Sequence, residues 1–349
     1  MKRIRRINGV ELYDIIRSRE NVELAVMNAC RDHHKDPAVI RIRENPEPYI
    51  EAVCRILDDE SFHYSGFKKK TIFERGKWRE LCYTRTFPDR IIQHAVMQVV
   101  EPILLGTCIR DTYAARKGKG IHQGKTQVCR DMSKDPAHTR FCGKLDIKQY
   151  FKSIRRMLLF DSIKRKIKCP RTLKILHVII FECPGEEGLL VGTYSSQVLS
   201  TFTLTYFDHW VKETLGWKYY YRYMDDIVLL AGTKTHLHNL IRHIKDKLEE
   251  MGLEIKGNWQ VFSVEVRGID FMGYVMRHHY SLIRKRNKVA YIRACNHIIH
   301  NIKHRCGVTM SMMCSKISYE GMLGWCDSKN LVKRYDGRVF RMIEFGVIE

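Results

Sequence analysis

Long apolar runs are missing from this sequence. No stretch approaches the ~18 consecutive apolar residues that a membrane-spanning helix needs, so no such helix is expected. Proline is scarce, at 8 in 349 residues, and no Gly/Ser-rich linker, internal repeat or low-complexity tract appears. Lobes joined by flexible string are therefore excluded, and the domains are expected to be packed together. Acid is also in short supply. Asp and Glu number 39 against 61 Lys and Arg, a formal charge of +22. A surplus of that size calls for a polyanionic partner, either nucleic acid or an anionic membrane surface. The 12 cysteines include no pair at the close spacing of structural zinc sites. The start, MKRIRRINGVELYD, has no apolar core behind it and does not read as a signal peptide. Scattered cysteines in such a chain are expected to be reduced thiols of a cytoplasm.

What is present is ordinary globular composition, with 44% hydrophobic and 29% charged residues. The length suggests roughly two domains or one multi-lobed unit. Residues 11–60 carry apolar residues at three- and four-residue spacing and read as helices. Residues 66–86 alternate and hold a glycine, as a basic β-hairpin does. A helix is expected from Pro88, a short apolar strand over 141–147, and one continuous helix from YFKSIRRMLLFDSIKRKI. VGTYSSQVLSTFTLTYFDHWVKETLG reads as a long buried helix, and WKYYYRYMDDIVLLAG as strand, turn and strand. An amphipathic helix ending at Gly252 and several short strands follow, and the remainder is mainly helical. The order predicts an α+β fold with a small antiparallel sheet.

The most informative segment is Tyr223-Met224-Asp225-Asp226. Aromatic and β-branched residues flank it, so two adjacent carboxylates are expected at the tip of a tight hairpin. Hairpin turns favour Asn-Gly or Asp-Gly, and two neighbouring aspartates repel. The choice makes sense if a cation sits between them. A lone carboxylate, Asp146, ends the apolar strand of Lys144-Leu145-Asp146-Ile147-Lys148-Gln149-Tyr150-Phe151. Beside the hairpin in an antiparallel sheet, it would bring a third hard oxygen ligand, which suits Mg²⁺. Two such ions about 4 Å apart can hold the attacking and leaving oxygens of a phosphoryl transfer.

At these residues the chain resembles a bacterial reverse transcriptase, over roughly residues 65–335. YMDD is similar to that family's catalytic hairpin and LDIKQYF to its first catalytic strand. FPDRIIQHAVMQVVEPIL followed by RDTYAARKGKGIHQG resembles the fingers-to-palm segment, and SLIRKRNK the entry to the thumb. The stretch Val191-Gly192-Thr193-Tyr194-Ser195-Ser196-Gln197 is the discriminating one. An aliphatic residue before glycine and a Ser-Gln ending are similar to diversity-generating retroelement enzymes, with phage-defence reverse transcriptases close behind. The resemblance implies a right-hand polymerase with palm, fingers and helical thumb. It implies an N-terminal helical extension over 1–62, fingers and fingers–palm segment over 63–140, palm over 141–274 and basic thumb over 275–349.

The resemblance also implies roles. Asp146, Asp225 and Asp226 would be the catalytic carboxylates and, with the Ile147 carbonyl, the ligands of two Mg²⁺ ions, with Mn²⁺ able to substitute. Phe151 would be the steric gate against the ribose 2′-hydroxyl. Val191 would be a fidelity determinant, with plain core packing as its alternative. Gln197 would meet the template base or nucleotide, and Lys256 the pyrophosphate leaving group. Phe271, Met272, Gly273 and Tyr274 match the primer grip.

Charge adds further candidates. Lys77 and Arg79, with Arg85 and Arg90, lie in or beside the basic hairpin, where cations could clamp a triphosphate. Arg116, Lys117 and Lys119 in ARKGKG read as backbone contacts to template or primer, and no Gly-Lys-Ser/Thr follows at the spacing a Walker loop needs. From Phe271 to Tyr319 there is no Asp or Glu, and nine Lys or Arg occur, Arg284, Lys285, Arg286 and Lys288 among them. That stretch suits a groove tracking a nucleic-acid backbone, with a membrane surface as the weaker alternative. Its five histidines, including His278, read as solvated or RNA-facing.

The expected function is an RNA-directed DNA polymerase that copies a structured template RNA into error-prone cDNA in a diversity-generating retroelement. Expected partners are template RNA, cDNA primer and product, deoxynucleoside triphosphates and a small basic accessory protein, with no membrane. Two readings stand beside it: a phage-defence enzyme making cDNA from a partner non-coding RNA, and a catalytically silent RNA-binding scaffold. A bacterial or phage-encoded protein of the cytoplasm fits all three.

Overall fold

The computed structural model describes residues 3–31, 33–74 and 76–346. The chain divides into two compact units, each built from several chain segments. The first comprises residues 1–110, 147–217 and 244–256, and the second residues 111–146, 218–243 and 257–349.

The first unit opens with the expected helices, Leu12–Arg17, Arg19–Ala29, Pro37–Glu44 and Glu47–Asp58. Local signals set their starts. Ser18 accepts the amide of Asn21, and Asp36 that of Ala38 ahead of a proline at the first helical position. Leu12, Ile16, Val22, Ala25, Val53 and Leu57 all turn inward. Helix Arg19–Ala29 packs along helix Ile91–Leu105 through a polar seam. Asn21 donates to the Ala95 carbonyl (2.9 Å), and Gln98 donates to the Asn21 side chain (2.8 Å). The basic hairpin is present as strands Phe67–Glu74 and Lys77–Thr84, paired antiparallel from Phe67 opposite Thr84.

Two expected long helices are broken. YFKSIRRMLLFDSIKRKI forms Tyr150–Ser153 and Arg156–Lys164, with Ile154 extended between them. The carbonyls of Phe151 and Ile154 accept the amides of Leu189 and Gly188 (2.7 and 2.9 Å) instead of continuing the helical ladder. Buried Arg156 fixes that loop by donating to the carbonyls of Gly188 (2.9 Å), Gly185 (2.8 Å) and Pro184 (3.0 Å). A side chain at Gly188 would meet the Lys152 backbone at 2.8 Å, so only glycine permits the approach. The second long helix is split into Tyr194–Thr203, Thr205–His209 and a wider turn at Trp210–Thr214.

The second unit is built on a four-stranded antiparallel sheet. Its spatial order is Tyr220–Tyr223, Asp226–Ala231, Phe141–Asp146 and Gln260–Ser263. Helix Ile121–Lys134 and the sheet enclose Val128, Met132, Cys142, Tyr221, Val228 and Leu230. A smaller sheet, Ile269–Phe271, Tyr274–Met276 and Ser281–Ile283, adjoins the same core. Three helices follow, Lys285–Lys303, Met310–Leu323 and Lys329–Gly346, packed around Tyr291, Cys295, Ile298 and Leu323. The fold class is thus the expected α+β. No cysteine among the described residues is in a disulfide, and no helix among them is long and apolar enough to cross a membrane.

Candidate active site

The short apolar run FCGKLD forms strand Phe141–Asp146, and the continuous apolar run after Asp226 in DIVLLA forms strand Asp226–Ala231. They pair antiparallel along their whole length, and the register sets Asp146 directly opposite Asp226. The hairpin closes with Tyr223 opposite Asp226, so the turn consists of Met224 and Asp225. This corrects the expectation that both carboxylates occupy the tip. Met224 takes a left-handed conformation, φ +55°, which completes the reversal before Asp226 and makes that residue the first of its strand. A non-glycine residue there costs roughly 1–2 kcal/mol.

The electrostatics are those of carboxylates held together. Asp226 Oδ1 is enclosed and has no hydrogen-bond partner. Burial pushes the Asp226 carboxyl up to about 7, and the charges of Asp146 and Asp225 push in the same direction. Lys144 and Arg284 oppose the shift. Lys144 sits two residues before Asp146, on the same face of its strand, and its ammonium lies 3.6 Å from Asp226 Oδ2. It also donates to the Asp270 carbonyl, while Arg284 pairs with the Asp270 carboxylate. Lys144 and Asp270 were not singled out in the sequence, although the period-two alternation of the strand puts Lys144 beside Asp146. A cleft of about 280 Å³ opens here, lined by Lys144, Asp146, Trp259, Gln260, Arg267 and Asp270.

Among the described residues, no three Asp, Glu, His or Cys side chains form a ready-made metal cage. The donor chemistry nevertheless fits a hard divalent cation. One enclosed carboxylate oxygen lacks a partner, and the sheet register opposes two aspartates with a third beside them. Mg²⁺ needs few protein ligands, because it keeps waters and substrate phosphates in its shell.

Other expected nucleic-acid contacts also fall in the second unit. Lys117 is exposed, Arg116 donates to the Thr112 carbonyl (3.0 Å), and Lys119 lies over the Tyr113 ring (5.6 Å). Arg284, Lys285, Arg286 and Arg293 line an open groove of about 710 Å³, and Lys288 is exposed on the same helix. Phe271 and Tyr274 need a correction. Both are 0% exposed and belong to the hydrophobic core, because their strands turn these side chains inward. Tyr274 hydrogen-bonds His122 Nδ1 (2.7 Å) and the Met322 carbonyl (3.2 Å). They flank the Met272-Gly273 turn with their side chains enclosed in the core. Gly273 is half-exposed, with φ +87°. His278 is likewise buried, 3.2 Å from the Thr139 hydroxyl, so it is not a solvated histidine.

The remaining candidates belong to the first unit. Ile147 directly follows Asp146 in the chain, and its bridge to Ile255 sets the position of Lys256, which is half-buried. Phe151 is half-buried with its ring edge-on to Tyr150 (5.9 Å). Val191 is half-buried and stands outside the core, which disfavours plain core packing. Gln197 is exposed on the first turn of helix Tyr194–Thr203. It shares a polar cleft of about 240 Å³ with Gly192, Gln93, Arg90, Arg31 and His33. The last two come from the segment between helices Arg19–Ala29 and Pro37–Glu44. Lys77 and Arg79 lie on the second strand of the basic hairpin, and their side chains lie outside the described residues.

Comparison with known proteins gives the setting. The family model described as "Reverse transcriptase (RNA-dependent DNA polymerase)" matches residues 67–276. Protein YkfC of Escherichia coli (strain K12) is 25% identical over 317 residues, covering 76% of this chain and 81% of its own. Apo telomerase from Candida tropicalis superposes with a TM-score of 0.52 at 13% identity, over 82% of this chain and 58% of its own. Telomerase from Candida albicans in complex with a telomeric RNA fragment gives 0.51 at 10% identity, with the same two coverages. The chain therefore spans less than two thirds of the telomerase chains. The likeness extends the fold to that of a palm, fingers and thumb polymerase.

Proposed function

The chain belongs to the reverse transcriptase family, and on that premise we propose that it makes cDNA from a structured template RNA by two-metal nucleotidyl transfer, in a diversity-generating retroelement. The observation that carries the chemistry is the pairing of Asp146 with Asp226 beside Asp225, with an enclosed Asp226 oxygen left without a partner. In this reading Asp146, Asp225, Asp226 and the Ile147 carbonyl hold two Mg²⁺ ions, which Mn²⁺ can replace. When bound, such ions neutralise triphosphate charge and stabilise the attacking and leaving oxygens. The rest belongs to the chain's own residues. Lys144 offsets part of the carboxylate charge. Lys77, Arg79 and Lys256 bring cations to the triphosphate and the departing pyrophosphate. The Phe151 ring excludes a ribose 2′-hydroxyl, and Gln197 faces the templating base. Arg116, Lys117, Lys119 and the Met272-Gly273 turn hold primer and template, and Arg284 to Lys288 follow the backbone of the hybrid.

The division expected from the sequence goes with this reading: N-terminal extension 1–62, fingers 63–140, palm 141–274 and thumb 275–349. A structured RNA and a small basic accessory protein are the proposed partners. Primer extension on an RNA template with Mg²⁺ and deoxynucleotides tests the chemistry, with Asp225→Ala/Asp226→Ala run beside it. Template-dependent cDNA is expected from the wild type alone. Equal extension by both proteins would remove the metal assignment. Failure of both, with RNA and accessory protein supplied, would favour an RNA-binding scaffold.

The retroelement reading rests on Val191, which the structure leaves outside the core. Val191→Gln is expected to lower misincorporation at template adenines. An unchanged error spectrum would discard Val191 as a fidelity determinant and move the protein toward the phage-defence reading.

A further inference from the structure

Arg222 is the bulkiest fully enclosed side chain among the described residues. It lies between Tyr221 and Tyr223, one residue before the strand reaches the carboxylate turn. Its backbone is locked on both sides. The amide donates to the Asp111 carbonyl (3.0 Å), its own carbonyl accepts the Tyr113 amide (3.0 Å), and Ile227 stands opposite it in the sheet. None of these bonds needs a guanidinium. A buried charge is costly, and an apolar side chain of similar volume would fill the position at lower cost. The guanidinium reaches the turn as an apolar side chain cannot: its Nη1 donates to the Met224 carbonyl at 3.0 Å.

That carbonyl belongs to the peptide joining Met224 to Asp225. Met224 holds φ +55°, a conformation methionine disfavours. The orientation of this peptide plane fixes where Asp225 points and how the chain enters Asp226. The three carboxylates do not preform a cage. Their convergence therefore depends on the backbone that carries them.

We propose that Arg222 is a positioning residue for the catalytic carboxylates, clamping the Met224–Asp225 peptide so that Asp225 and Asp226 can share a divalent cation. The assignment rests on the polymerase reading of Asp225 and Asp226. It treats the buried charge as an internal tether from the strand to its own turn, reinforcing a left-handed residue where most hairpins would use glycine.

The test uses the full chain with three variants: Arg222→Lys, Met224→Val and Arg222→Lys/Met224→Gly. Mn²⁺ binding to the protein alone is read by electron paramagnetic resonance. Primer–template affinity, thermal midpoint and the Mg²⁺ dependence of single-nucleotide addition are read in parallel. Arg222→Lys is expected to weaken Mn²⁺ binding and raise the Mg²⁺ requirement by about 10–100-fold, the usual loss for a group that orients metal ligands. Primer–template affinity is expected to hold. Met224→Val, whose β-branched side chain resists a left-handed turn, should reproduce that loss without touching the buried arginine. Glycine at 224 should recover part of it, since glycine takes a positive φ without penalty. Wild-type Mn²⁺ affinity in both Arg222→Lys and Met224→Val would overturn the proposal. So would a loss in Arg222→Lys that tracks the thermal midpoint and primer–template affinity and is not relieved by glycine. Asp225→Ala separates the two levels: if it retains Mn²⁺ binding and polymerisation, the polymerase reading itself fails, whatever Arg222 does.

Discussion

Asp146 and Asp226 face each other across two antiparallel strands. Like charges in directly opposed positions destabilise a sheet, so the pair sacrifices stability for a function. The consequence is measurable in the apoprotein. The folded Asp226 carboxyl is pushed up to about 7 by burial and its two carboxylate neighbours. An unfolded aspartate titrates at about 3.9, so the native state binds the extra proton between those values. Stability then falls as pH rises through that window. Asp226→Asn removes the group that must ionise. Without divalent cations it is expected to melt above the wild type at about pH 8, with little difference near pH 4.5. It should also be inactive. Equal midpoints at the higher pH would show that the opposed carboxylates carry no stability cost.

Phe151 gives a test of substrate choice. Its ring stands edge-on to Tyr150, and its carbonyl is tied to the Leu189 amide (2.7 Å). The side chain is half-buried, so Phe151→Ala frees space without emptying the core. Ribonucleotide incorporation relative to deoxynucleotide should rise by about ten- to a hundredfold, the scale on which sterically shaped pockets discriminate. An unchanged ratio would place the sugar discrimination elsewhere.

The sequence showed much of this protein because its strongest signals are local. YMDD within a run of aromatic and β-branched residues can hardly form anything but a hairpin, and FCGKLDI reads as a short apolar strand. The expectations failed where tertiary contacts overrode a local pattern. The helical periodicity of YFKSIRRMLLF is sound, yet the chain breaks at Ile154, because a loop 34 positions downstream supplies the amide that its carbonyl accepts from Gly188. Phe271 and Tyr274 read as contact residues because their segment resembles a primer grip. Their burial depends on Met132, Met322 and other distant residues that no local window contains. Lys144 and Arg222 went unmarked for another reason. In a chain with 61 Lys and Arg, one more cation is no signal until its partner is seen.

His94 offers a pH test in the first unit. It stacks on Tyr194 (4.8 Å), and burial, helped by Arg90 and Arg31, lowers its pKa to about 4 from the ordinary 6.5. The folded state therefore holds it neutral, while the unfolded chain gains a proton below 6.5. Its contribution is complete above the unfolded value and is lost as pH falls from 6.5 toward 4. His94→Gln cannot be protonated and should flatten that part of the stability profile. Urea unfolding at a series of pH values reads the slope directly, and identical slopes for the two proteins would exclude His94 as its source.

The basic groove separates two kinds of residue that the sequence could not tell apart. Arg286 and Lys288 are exposed on the first turns of helix Lys285–Lys303. Arg286→Ala and Lys288→Ala should each weaken binding of an RNA–DNA hybrid, about equally for every base sequence. Each should reduce the slope of log affinity against log salt by about one, because each removes one phosphate contact and the counterion it displaces. Thermal stability should not change, since neither side chain is buried. Phe271 lies only fifteen residues before Arg286 but is fully enclosed. Phe271→Ala should cost about 3–5 kcal/mol of stability through the cavity it leaves. At temperatures where the variant stays folded, its salt slope should match the wild type. A reduced slope for Phe271→Ala, or an unchanged one for both exposed cations, would reverse the assignment and place the hybrid against the core strands instead of helix Lys285–Lys303.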